Sequence, residues 1–175
     1  MQKAKQRSEI AQQDKWRIED IYATDEAWEA DYNECIRRAK EKCVYQGRLA
    51  ESAQILYQAL KESDEADLLV EHVYVYAFMK YYEDTANAVY QEMSGRAQAA
   101  VTKLSEKYAF LTPEILAIDQ KKMQEYLNSD TLALYCHALE DILAKKEHAL
   151  SETEERLLAM AGQVTASPNE IFSKF

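Results

Sequence analysis

Glycine and proline are scarce in this chain of 175 residues, which holds 3 of the first and 2 of the second, where average usage would place about 12 and 9. Turn-rich all-β architectures need far more of both and are excluded. Gly47, Gly95 and Gly162 also lie too far apart to build a glycine-rich phosphate loop of the P-loop or dinucleotide-binding kind. Cysteine is sparse as well: three cannot all pair within one chain, and a disulfide-stapled secreted domain carries more. Cys35 and Cys43 fall in what reads as one helix. That spacing puts their backbones about 12 Å apart, beyond the ~7 Å that a disulfide spans, so reduced thiols acting as small hydrophobes are expected. The longest apolar run, Val73 to Met79, is far short of the ~20 residues of a membrane span. The polar start Met1-Gln-Lys-Ala-Lys-Gln-Arg carries no secretory signal. A cytoplasmic protein is expected. Positive charge is in deficit too, with 21 Lys and Arg against 31 Asp and Glu for a net −10, which argues against nucleic acid and anionic membrane as partners.

What the sequence does hold is helical periodicity. Residues 1–13 are polar and aperiodic and read as a disordered tail; Trp16, Ile18, Ile21 and Tyr22 follow as an apolar lead-in. Thr24 is placed to cap a helix with Asp25 and Glu26 in its first turn, carrying Trp28, Tyr32, Cys35, Ile36, Ala39 and Cys43 on one face and stopping at Gly47. Ser52 opens a short second helix and Ser63 a third. The segment Val73-Tyr-Val-Tyr76 alternates like a strand, but Ala66, Leu69, Val70, Val73, Ala77 and Lys80 carry a helical period through it, so it reads as helix. Residues 87–111 form a fourth, long helix. Thr112-Pro113 reads as a cap with proline at the first helical position, and Asp119 caps a further short helix. Residues 130–165 read as a helical hairpin whose second arm starts at the capping box Ser151-Glu-Thr-Glu154. A second box, Ser167-Pro-Asn-Glu170, opens a helix that eight residues cannot finish, so the chain reads as stopping inside a helix of a larger protein. The expected fold is all-α: an antiparallel up-and-down helical bundle over 14–128, then a helical hairpin and the start of a further helix over 129–175.

Catalytic chemistry is thin. The three histidines, His72, His137 and His148, make neither a His-Glu-x-x-His nor a Glu-x-x-His pattern. His137 and Asp141, one helical turn apart, are a weak candidate for two metal ligands and a better one for a solvated pair. No catalytic residue and no metal ligand is named by the sequence. The unusual feature is tyrosine. There are twelve, with Tyr74, Tyr76, Tyr81 and Tyr82 crowded into nine positions and Tyr90 just beyond. They serve either as core residues whose hydroxyls reach surface partners or as a contact face for peptide or a neighbouring domain. One helical stripe cannot bury them all. Tyr74, Tyr76, Tyr81, Tyr82, Asp84 and Tyr90 are the candidate contact face.

Several motifs together resemble one family. Trp16-Arg-Ile-Glu-Asp-Ile-Tyr22, Tyr74-Val-Tyr76, Asp84-Thr-Ala-Asn87, His148-Ala-Leu-Ser-Glu-Thr-Glu-Glu155 and Ser167-Pro-Asn-Glu-Ile-Phe-Ser-Lys174 look like the N-terminal region of oligoendopeptidase F, a zinc metallopeptidase of the thimet-oligopeptidase type. The resemblance implies a helical region that forms one wall or lid of a peptide channel. It also implies a zinc-binding His-Glu-x-x-His helix in a downstream catalytic part that this chain lacks, so that the chain itself carries no cofactor. The expected partners are then its own catalytic domain or short peptides, or a second copy of the chain through an exposed docking face that includes Phe172 and Phe175. The rival reading is a free-standing helical interaction module with a tyrosine-rich binding face.

Overall fold

The structure, a computed structural model, describes residues 9–145. It is all-α, and no strand occurs among the described residues. The chain divides into two compact units, Met1–Tyr135 and Cys136–Phe175. The first holds α1 (Asp25–Lys40), α2 (Ala53–Glu83), α3 (Ala88–Tyr108), α4 (Leu111–Ala117), α5 (Gln120–Leu127) and a closing 3-10 segment (Asp130–Tyr135); α6 (Cys136–Ala144) belongs to the second. The expected capping boxes at Ser151 and Ser167, the second arm of the hairpin, His148, Phe172 and Phe175 lie outside the described residues, as do residues 1–8 of the expected tail. Gln12–Asp14 at the end of that tail forms a 3-10 turn.

Caps start the helices where the sequence places polar residues ahead of apolar periodicity. The Thr24 hydroxyl accepts from the Ala27 amide at 3.3 Å, Ser52 Oγ from Ile55 at 3.2 Å, and Asp119 Oδ1 from Lys121 and Lys122 at 3.0 and 3.2 Å, each satisfying first-turn donors that have no partner inside the helix. Asn87 does the same for α3, accepting from Val89 and Tyr90. Helix α3 runs unbroken through Gly95, which is exposed and whose added Cβ would meet nothing.

Three boundaries differ from the sequence expectation. Helix α1 ends at Lys40, not at Gly47, because Glu41 turns to extended backbone. Gly47 instead holds a φ of 80° in the connection to α2, and its amide donates to Glu114 Oε1 of α4 at 2.7 Å; the glycine is needed for a turn and not for a helix stop. Cys43 therefore lies in that connection and not on the helix of Cys35. Both are buried, and burial pushes the Cys35 thiol up to about 11. Ser63 starts no helix: α2 runs unbroken through it, and Ser63 is a buried seam residue. Helix α4 begins at Leu111, so Pro113 is its third residue and Thr112 no cap; proline is tolerated there because first-turn amides have no intrahelical acceptor.

The unbroken α2 follows from a heptad. Leu56, Ala59, Ser63, Ala66, Val70, Val73, Ala77 and Lys80 are all buried, and they recur at alternating spacings of three and four, the signature of a continuous helix–helix seam. Against it pack α1 through Trp28 and Cys35, and α3 through Met93, Ala97, Ala100, Leu104 and Tyr108. Polar contacts set the directions. Asp25 of α1 meets Tyr76 and Lys80, and the Trp28 indole N–H donates to the Val73 carbonyl at 2.8 Å. Tyr108 of α3 donates to Glu62 of α2 at 2.8 Å, while Lys80 lies over Tyr90. Helix α2 thus runs opposite to both α1 and α3. The 3-10 segment packs on α2, where the Tyr135 hydroxyl donates to Asp64 at 2.7 Å.

Trp28 is 1% exposed, so its volume and its N–H both matter. Trp28→Phe should lose the hydrogen bond to Val73 and cost about 1–2 kcal/mol, whereas Leu56→Ala should cost about 2–5 kcal/mol through cavity formation. Urea denaturation followed by circular dichroism measures both.

Candidate functional site

The tyrosine-rich stretch divides into an inward and an outward set. Tyr76 is buried, its ring meeting Tyr22 edge-on with centroids 5.3 Å apart, and its hydroxyl donates to Asp25 Oδ1 at 2.8 Å. Lys80, 8% exposed, pairs with the same carboxylate oxygen and lies 5.2 Å from the Tyr76 ring centroid and 5.0 Å from that of Tyr90. Burial raises the Asp25 pKa, but Lys80 and the Tyr76 hydroxyl outweigh it and hold the carboxyl below its ordinary value. Tyr76 and Tyr90 are therefore occupied in joining helices.

Tyr74, Tyr81 and Tyr82 point elsewhere. Tyr74 stacks on Phe78 with centroids 4.1 Å apart; Phe78 lies 6.3 Å from Tyr81 and 6.1 Å from Tyr82, which are 5.3 Å from each other. Tyr82 is 64% exposed. Phe78 is the residue that sequence reading passed over. Its position four after Tyr74 and three and four before Tyr81 and Tyr82 puts it at the centre of that strip on a helix. At the lower end the strip borders a shallow groove of about 310 Å³ between α2 and α3, lined by Val70, Glu71, Tyr74, Gln98 and Val101. Asp84, at the other end, is exposed and accepts the Ala86 amide at 3.1 Å, which shapes the turn into α3.

The described histidines do not converge on a metal site. His72 is exposed. His137 Nε2 and Asp141 Oδ2 lie 3.8 Å apart on α6 with side chains 89% and 62% exposed, a pair in solvent. Among the described residues no group of three His, Cys, Asp or Glu is placed to hold a metal ion, so these residues do not fit the zinc that the family resemblance implies for the parent protein.

The oligopeptidase PepF of Bacillus subtilis is 39% identical over 168 residues, which span 95% of this chain and 25% of that protein. An oligoendopeptidase F homolog of Lactococcus lactis is 39% identical over 177 residues, covering 98% of this chain and 29% of its own length. This chain matches the N-terminal region of oligoendopeptidase F. The family described as Oligopeptidase F matches residues 114–175. The crystal structure of oligoendopeptidase-F from Enterococcus faecium superposes with a TM-score of 0.70 at 29% identity, covering 85% of this chain and 29% of that one. A crystal structure from Chlamydophila abortus gives 0.77 at 23% identity over 98% of this chain and 29% of its own, a likeness of fold. The chain thus spans little more than a quarter of the oligoendopeptidase F proteins it matches. No helix among the described residues is long and apolar enough to cross a membrane.

Tyrosine ionisation tests the inward set. Tyr22, Tyr76, Tyr108 and Tyr135 each donate to a carboxylate, and burial together with that carboxylate drives all four pKa values above the ordinary range. A phenol whose folded pKa is raised contributes stability that is present below its unfolded value of about 10 and is lost as pH rises through the folded value. Absorbance at the tyrosinate band should therefore show these four ionising only together with loss of the helical signal. Reversible titration of all twelve near pH 10 with the helices intact is the contrary result.

Proposed function

We propose that this chain works as the non-catalytic N-terminal part of an oligoendopeptidase F-type enzyme that hydrolyses short peptides in the cytoplasm, and that its helices form a wall or lid of the peptide channel. In this reading the bundle over 14–128 and the hairpin that follows shape the channel. Zinc and the groups that cut the peptide bond belong to the part of the parent protein this chain does not span. The observation that carries it is the match to proteins named oligopeptidases and oligoendopeptidases along nearly the whole chain. The strip of Tyr74, Phe78, Tyr81 and Tyr82, the first three half-buried and the last exposed, adds a surface suited to peptide or to the catalytic region, since aromatic rings with polar tips give large contact area at low entropic cost. The same strip also serves the rival reading of a free-standing interaction module.

A chimera separates the two. Replacing the matching quarter of the Bacillus subtilis relative with this chain should give an enzyme that cleaves a quenched fluorescent peptide within about tenfold of the parent rate, while this chain alone cleaves nothing. Tyr74→Ala with Tyr82→Ala in that chimera should raise KM by about three- to tenfold and leave kcat nearly unchanged, the pattern for lost uniform binding. A folded chimera without activity, or one indifferent to both substitutions, contradicts the channel role.

A further inference from the structure

We draw no further inference here: the strongest candidate, the apolar groove between α2 and α3 at Val70, Tyr74 and Val101 with the aromatic strip of Phe78, Tyr81 and Tyr82 beside it, carries nothing beyond the proposed role because nothing in the structure shows what covers it.

Discussion

An ammonium buried among three helices has few ways to be accommodated, and Lys80 uses nearly all of them. It sits on the inward seam of α2, pairs with Asp25 in the first turn of α1, and lies over the rings of Tyr76 and Tyr90, the second of which comes from α3. A buried charge without a partner is costly, so the start of α1, the end of α2 and the start of α3 must meet at this point. Lys107 imposes a like condition at the other end. It donates to the Arg38 carbonyl in the last turn of α1 and to Glu62 of α2. Arg96, between them, ties α3 to α1 through Glu29. The three clamps hold register along helices whose seam is otherwise built of small and apolar residues that would tolerate sliding.

The outward face follows from the inward one. Once Val70, Val73, Ala77 and Lys80 are committed to the seam, helical geometry leaves Tyr74, Phe78, Tyr81 and Tyr82 on or near the surface. The aromatic strip and the groove beside Tyr74 are thus positioned by the same clamps, on one rigid helix of 31 residues, and not by a loop. Surfaces on rigid elements meet a partner at low entropic cost. This is the link from the core to the proposed role in handling peptides.

Much of the fold was legible in the sequence because it is written locally. Thr24, Ser52 and Asp119 cap the helices they precede, and the period through Ala66, Val70, Val73, Ala77 and Lys80 makes helix of a segment whose composition favours strand. Local chemistry misled where a residue had a tertiary role. Ser63 has the look of a cap and is a small seam residue; Gly47 has the look of a helix stop and is a turn that donates to Glu114, 67 positions away. Reading α2 as two helices also hid the heptad. In the site, the tyrosines were visible but their division was not. The partners that draw Tyr76 inward, Asp25 above all, are 51 positions distant, and the ring that unites the outward set is a phenylalanine that a search for tyrosines omits. The family resemblance was carried by short motifs, and the match along 95% of the chain to the Bacillus subtilis relative bears it out.

How the three helices meet depends on the clamp at Lys80, and a double-mutant cycle measures it most directly. Asp25→Asn, Lys80→Met and the pair together are compared by urea denaturation, with coupling read from the departure from additivity. The Asp25 side chain is 49% exposed, so solvent screens the pair and the coupling should be about 1–2 kcal/mol, below that of a fully buried one. The double variant should then be more stable than Asp25→Asn alone, because methionine removes the uncompensated charge. Additive effects, with the double variant no better than the sum of the singles, would contradict the claim that this ion pair sets how the three helices meet.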